Sequence, residues 1–122
     1  MSDQTPVIKS EPLYQLLRAG KVEDFNRRRQ AGERCDLTRC DFRGLDLRGL
    51  QADGLDLSDS YFRQTDLRGV DLSNARLIGA SIHGAKISGV YFPVDLPPDE
   101  ILMSLEHGTR LRYGTPVRAC KE

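Results

Sequence analysis

A period of five residues runs through the middle of the chain without interruption. From residue 35 to residue 94 the sequence divides into twelve blocks, which read CDLTR CDFRG LDLRG LQADG LDLSD SYFRQ TDLRG VDLSN ARLIG ASIHG AKISG VYFPV. An α-helix repeats about every 3.6 residues and a strand about every two, so this period predicts neither a long helix nor a long strand. Glycine is the fifth residue of seven blocks, which indicates a turn in each block.

Two positions of each block are predicted to point inward. The third residue is large and apolar in every block except the fourth, where it is Ala52, and the first residue is small or apolar throughout. The second residue, between them, is Asp in six blocks and never aliphatic. Short extended segments can bury both inward positions only if the backbone coils around an axis and stacks successive turns. The predicted structural core is the set of eleven large third-position side chains, Leu37, Phe42, Leu47, Leu57, Phe62, Leu67, Leu72, Leu77, Ile82, Ile87 and Phe92.

The twelve blocks resemble the pentapeptide-repeat family. Its members wind four blocks per turn into a right-handed square β-helix, with the third-position Leu or Phe and the smaller first-position residue inside. The resemblance implies a mainly β fold, a solenoid of about three coils over residues 35–94. Ala52 departs from the pattern, and we expect larger first-position residues to supply the missing volume, because cores tolerate volume swaps better than voids. These residues are Leu45, Leu50 and Leu55, and the alternative is a local cavity.

The segment before the repeat, residues 1–34, predicts a helical cap on the first coil. Ser10 can cap a helix that begins at Pro12, and residues 21–31 predict a second helix that ends at Gly32. A solenoid leaves its first apolar layer open to water, so a pair of short amphipathic helices is a suitable cover.

The segment after the repeat, residues 95–122, predicts a short helix and a tail. Residues 99–107 carry apolar side chains at helical spacing before Gly108. Residues 109–113 then alternate arginine with Leu111 and Tyr113, which predicts a strand on the last coil or on a second protein. Residues after Gly114 are predicted to be loose.

The outside of the repeat carries paired charges. An Asp is followed two residues later by Arg in three blocks, and we predict local ion pairs there: Asp41 with Arg43, Asp46 with Arg48, and Asp66 with Arg68. Stacked coils about 4.8 Å apart would align Arg43, Arg63 and His83 in one ladder. This ladder is either a solvated face or a binding surface.

Neither the histidines nor the cysteines predict catalytic chemistry. His83 and His107 have no partner at a recognised metal-ligand spacing, and Cys35 and Cys40 occupy inward first positions. We therefore expect no enzyme activity, no metal and no cofactor. No stretch approaches the roughly 20 apolar residues of a membrane span. Three cysteines, an odd number, argue against a disulfide framework, so a cytoplasmic protein with no membrane contact is expected.

Charge arithmetic weighs against two functions that the fold could serve. Some pentapeptide-repeat proteins mimic DNA and bind a topoisomerase, but a rod of roughly 15 Å would need about nine net negative charges to match duplex DNA. The repeat has eight Asp against six Arg and one Lys, so its net charge falls far short of that value. The whole chain has 18 basic and 18 acidic residues, so no net charge attracts nucleic acid. Weak binding of anions or nucleic acid, through the ladder that begins at Arg43 and through a second one of Arg48 and Arg68, is the other alternative.

A non-enzymatic scaffold that binds another protein, or itself, is the predicted function. The C-terminal segment offers the nearest apolar side chains, so the candidate interaction surface joins it to the Arg ladder. The surface consists of Arg43, Arg63, His83, Ile101, Leu102, Leu105, Leu111 and Tyr113. A homodimer through the C-terminal segment is favoured over a purely intramolecular cap.

Overall fold

The computed structural model describes residues 6–113. Its helices are α1 (Pro12–Arg18) and α2 (Val22–Gln30) before the repeat, and α3 (Pro98–His107) after it. None of these three helices has the length and apolar composition needed to cross a bilayer.

Residues twenty apart pair side by side along the repeat. Parallel bridges join Asp41 to Tyr61 and Tyr61 to Ser81, and four more bridges have the same spacing. These are Asp46 to Asp66, Asp56 to Arg76, Asp66 to Lys86, and Asp71 to Tyr91. Twenty residues are four blocks, so the chain returns to the same side of the molecule after every fourth block. Residues 35–54, 55–74 and 75–94 are accordingly described as the first, second and third coils.

The pairing is limited to isolated bridges, and the described residues form no strand. The alternation within each block predicted short strands, but the turn that ends each block breaks the ladder after one residue. The fifth residue has a positive φ in ten of the eleven blocks that precede residue 90, the exception being Asn74. Glycine adopts this conformation without strain, which is why it recurs at the fifth position.

The four blocks of a coil define four faces. Face 1 comprises residues 35–39, 55–59 and 75–79, and face 2 comprises residues 40–44, 60–64 and 80–84. Face 3 comprises residues 45–49, 65–69 and 85–89, and face 4 comprises residues 50–54, 70–74 and 90–94.

The third-position side chains fill the inside of the coils. Nine of the eleven are buried, whereas Ile87 and Phe92, both in the third coil, are half-buried. The rings of Phe42 and Phe62 stack with their centroids 5.0 Å apart, and Tyr14 of α1 meets Phe42 edge-on at 5.5 Å. One column of side chains thus continues from α1 into the second coil.

The N-terminal cap, residues 6–30, closes the first coil through backbone and side chain contacts. Leu13, Leu17 and Phe25 are buried, and Val7 forms a parallel bridge with Cys40. The prediction that Ser10 caps α1 is wrong. The N-cap is residue 11, and its carboxylate accepts a hydrogen bond from the Asp36 N–H at 2.9 Å instead of capping the helix.

The C-terminal cap, α3 with residues 108–113, covers faces 1 and 2 of the third coil. The carbonyl of Leu105 accepts a hydrogen bond from the Gly84 N–H at 3.0 Å, and the Ser104 hydroxyl accepts one from the Ile82 N–H at 3.0 Å. Leu111 accepts from the Gly79 N–H and donates to the Ala80 carbonyl, both at 2.8 Å. The segment that follows α3 therefore lies on its own last coil.

Candidate functional site

Face 3 carries a network of paired charges. Arg48 and Arg68 each donate two side-chain hydrogen bonds to the Asp of the same block, at 2.7–2.9 Å to Asp46 and 2.8–2.9 Å to Asp66. Arg48 also reaches Asp66 of the next coil at 3.4 Å. The hydrogen bonds from Arg68 hold the pKa of Asp66 at about 2, and those from Arg48 lower the pKa of Asp46. The predicted local pairs form and neutralise Arg48 and Arg68, whereas Lys86, on the same face in the third coil, is exposed and has no ion pair within residues 6–113.

Face 2 holds the predicted ladder, but its three members differ. Arg43 pairs with Asp41 at 2.7 Å, and that hydrogen bond lowers the pKa of Asp41, whose side chain is buried. Arg63 is exposed. His83 is half-buried, and a Cβ added at Gly108 would lie 3.5 Å from its ring, so the C-terminal cap shields it. The ladder is not a row of three free cations, which weighs against anion binding.

The C-terminal cap divides the predicted apolar surface into inward and outward sides. Ile101 and Leu105 are half-buried against the core, whereas Leu102 is exposed. Leu111 is only 1% exposed, and the Tyr113 hydroxyl accepts a hydrogen bond from the Leu77 N–H at 3.1 Å. The prediction that Leu111 contributes to an interaction surface is wrong, because its side chain is buried between the cap and the last coil.

Arg110 fastens the C-terminal cap to the coils. Its guanidinium donates to the Gly79 carbonyl and to the Tyr61 hydroxyl, both at 2.7 Å, and its carbon lies 5.0 Å from the centroid of the Tyr61 ring. Asp59 lies 3.7 Å away. The sequence pattern did not single out Arg110, because its partners are at least thirty residues away along the chain.

Exposed apolar side chains concentrate at one end of the described molecule. Besides Ile8, the large exposed ones all belong to the third coil or α3: Ile78, Tyr91, Val94, Leu102 and Met103. Val94 is 95% exposed and Tyr91 is 66% exposed. The sequence-based surface did not include Val94, although it is the one apolar residue at a fifth position, where the other eleven blocks have Gly or a polar residue.

A groove opens on face 4 between the first and second coils. It has a volume of about 430 Å³ and is lined by residues 49–53, which include Ala52, and by residues 69–71. Ala52, Leu50 and Leu55 are all buried. The small side chain at this position thus coincides with an opening in the outer wall of the coils.

The thiols and imidazoles lie apart from this groove. Burial raises the pKa of the Cys40 thiol to about 12 and also raises the pKa of Cys35, which is half-buried, and neither forms a disulfide. His107 is exposed at the end of α3. In residues 6–113, no three His, Cys, Asp or Glu side chains are grouped so as to hold a metal ion. Cys120 lies outside the described residues.

Comparison with known families supports the repeat. The family model for pentapeptide repeats matches residues 56–92 with eight copies, a stretch that falls in the second and third coils. No curated protein and no solved structure matches the chain.

Proposed function

We propose that this pentapeptide-repeat protein is a non-enzymatic scaffold that binds other proteins through the outside of a right-handed, four-sided β-helix. Parallel pairing every twenty residues and a third-position side chain inside each block support this architecture. The two free thiols of Cys35 and Cys40 support a reducing compartment such as the cytoplasm.

The observation that carries the proposal is the concentration of exposed apolar side chains at the third coil and α3. Exposed apolar groups that cluster beside polar surface mark sites of protein contact. Most carboxylates elsewhere on the repeat are held by neighbouring cations, so those faces present pairs that are already neutralised. The backbone beneath is held by hydrogen bonds between coils, so the surface is presented on a rigid support.

Self-association through the outer side of α3 is the second part of the proposal. Leu102 and Met103 are adjacent and exposed, at 53% and 45%, while Ser104 beside them is buried against Ile82. The inward side of α3 covers its own coil, and the outward side remains available to a second copy. Leu111 has no part in this contact, because it is buried within one chain.

Site-specific crosslinking in cells tests the partner. A photoreactive amino acid replaces Arg63 on face 2, Val94 on face 4 or Met103 on α3, with Glu23 on the N-terminal cap as the control position. We expect one partner protein to be captured from at least one of the first three positions and not from Glu23. The partner must then bind the purified wild-type chain in a calorimetric titration. Absence of any specific crosslink at all three positions would contradict the proposal.

Sedimentation velocity tests self-association. We expect the wild-type mass to increase with concentration, and Leu102→Glu combined with Met103→Glu to give a monomer at every concentration. Glu106→Gln, an exposed change on the same helix, is the control and should behave as wild type. A wild-type chain that is monomeric at all concentrations would remove the homodimer and leave the scaffold proposal with its other partners.

A further inference from the structure

On face 4 the first and second coils lack the bridge between their second-position residues, as they also do on face 1, although the Gly54 N–H donates to the Asn74 carbonyl at 3.0 Å. Between the second and third coils, Leu72 donates to the Tyr91 carbonyl at 2.7 Å and Tyr91 donates to the Val70 carbonyl at 3.2 Å. The equivalent pair one coil earlier would join the Ala52 N–H to the Asp71 carbonyl and the Asp71 N–H to the Leu50 carbonyl. Neither bond forms, and within residues 6–113 these four peptide groups have no protein partner.

The first coil is instead paired with α2 on this side. The Asn26 side chain accepts a hydrogen bond from the Gln51 N–H at 3.0 Å and donates one to the Gly49 carbonyl at 2.9 Å, as a neighbouring strand would. Gln30 donates to the Gln51 side chain at 2.6 Å. In the second coil, Asn74 lacks the positive φ of the other block ends, so the turn there differs. The Gly54 N–H still bonds to the Asn74 carbonyl, so the two coils separate only where residues 49–53 and 69–71 line the groove.

Face 4 also differs from the other faces in charge. Its blocks contain two acidic residues, Asp53 and Asp71, and no Lys or Arg. In the described part of the chain, neither carboxylate has a cation within 4.0 Å, whereas each of the six other Asp residues of the repeat has one. Those pairs are Asp36 with Lys9, Asp41 with Arg43, Asp46 with Arg48, Asp56 with Arg76, Asp59 with Arg110, and Asp66 with Arg68. Both unpaired carboxylates are exposed.

The apolar part of face 4 lies one coil below the groove. Tyr91 follows Asp71 on the same line of second-position residues, and Val94 occupies the last position of the face. At about 4.8 Å per coil, the groove, the two carboxylates and these two side chains extend over roughly 10–15 Å. An extended peptide of about five residues covers that distance at about 3.3 Å per residue.

We propose that face 4 binds an extended segment of a partner protein that carries Lys or Arg together with aliphatic or aromatic side chains. The cations of the segment pair with Asp53 and Asp71, its apolar side chains cover Tyr91 and Val94, and its polar groups bond to the free peptide groups of the groove. Charge complementarity identifies this occupant, because the two carboxylates have no ion-pair partner within residues 6–113 and lie beside exposed apolar surface. Arg29 of α2 donates to the main-chain carbonyl of Asp53 at 3.3 Å and not to its carboxylate. The inference rests on the proposed scaffold function and specifies the chemistry of its partner.

Peptide titration of the full-length, ¹⁵N-labelled protein tests this inference. The probe is an acetylated peptide of about eight residues that alternates Arg with Val and Tyr, long enough to cover the face. The matched peptide has Glu in place of every Arg. We expect amide shifts in residues 50–54, 70–74 and 90–94 with the Arg peptide, weakened by salt, and none with the Glu peptide.

Variants of the protein assign the binding to face 4. Asp53→Asn combined with Asp71→Asn should lower the affinity about tenfold, because it removes two ion pairs that are exposed to solvent and therefore each contribute modestly. Tyr91→Ser combined with Val94→Ser should also weaken binding. Glu23→Gln combined with Glu106→Gln removes the same charge elsewhere and should leave the affinity unchanged.

Three results would overturn the inference. The first is failure of the Arg peptide to bind, and the second is a set of amide shifts centred on another face. The third is equal weakening of peptide binding by the Asp53→Asn/Asp71→Asn variant and by the Glu23→Gln/Glu106→Gln control. The outcome is separable from that of the scaffold proposal. A partner that is crosslinked from Met103 or Arg63 but never from Val94 would sustain the scaffold and exclude face 4.

Discussion

The rings of Phe42 and Phe62 lie almost parallel, with their planes 10° apart and their centroids separated by 5.0 Å. They are twenty residues apart in sequence and occupy the same position in successive coils. This stack is the direct expression of four blocks per turn, and it links the N-terminal cap to the middle of the repeat through Tyr14.

Phe62→Ala should lower the free energy of unfolding by about 3–5 kcal/mol, because it removes a fully buried ring and leaves a cavity between coils. Urea unfolding followed by circular dichroism measures the change. Arg63→Ala, the exposed neighbour, is the control and should change stability by less than about 0.5 kcal/mol. Similar losses for the two variants would show that Phe62 is not in a packed core.

Ala52→Leu should destabilise the protein by about 1–3 kcal/mol. Ala52 is buried beside Leu50 and Leu55, and a larger side chain must displace them. Thermal unfolding of the variant and of the wild type measures the effect. A higher melting temperature in the variant would mean that the interior at this position is under-filled.

Arg110→Ala should loosen the C-terminal cap, because it removes the hydrogen bonds to Gly79 and Tyr61. We expect a loss of about 1–2 kcal/mol and faster amide exchange at Leu111. A double-mutant cycle with Tyr61→Phe isolates the contact between the two side chains. Additive effects in that cycle would contradict the coupling, and unchanged exchange at Leu111 would contradict the fastening role of Arg110.

Acid should destabilise the protein as pH falls from about 4 towards 2. Asp66 has a folded-state pKa of about 2, below the value of about 3.9 expected in the unfolded chain, so the unfolded state binds protons first as pH falls. The contribution of Asp66 to stability is complete above about pH 5 and is lost as the pH falls through the folded-state pKa of Asp66. Urea unfolding across this range should show a smaller acid-dependent loss for Asp66→Asn than for the wild type. An identical pH dependence would exclude Asp66 as a contributor.

Thiol labelling should distinguish the three cysteines. Cys40 is buried and its pKa is about 12, so it holds almost no thiolate at neutral pH and should react last. Cys35 is half-buried and should react faster, and we expect Cys120, in the tail, to react first. Mass spectrometry of peptides after timed alkylation measures the order. Labelling of Cys40 as fast as Cys35 would place its side chain outside the coil.

The register of the repeat and its local chemistry could be predicted from the sequence alone. A five-residue period is a property of neighbouring residues, and so are the Asp and Arg pairs two residues apart. The three helices were also predictable to within about a residue or two at each end, because their apolar spacing and their Pro and Gly boundaries are local signals.

Only the tertiary structure decided which of these residues remain available to a partner. Leu111 alternates with arginine in the sequence like an exposed strand residue, yet the cap buries it against residues about thirty positions earlier. On face 4 the Asn26 side chain of α2 bonds to Gly49 and Gln51 of the first coil, and the bridge from Gln51 to the second coil is missing. Both outcomes depend on competition between contacts that are distant in sequence, and a local period carries no information about which contact prevails.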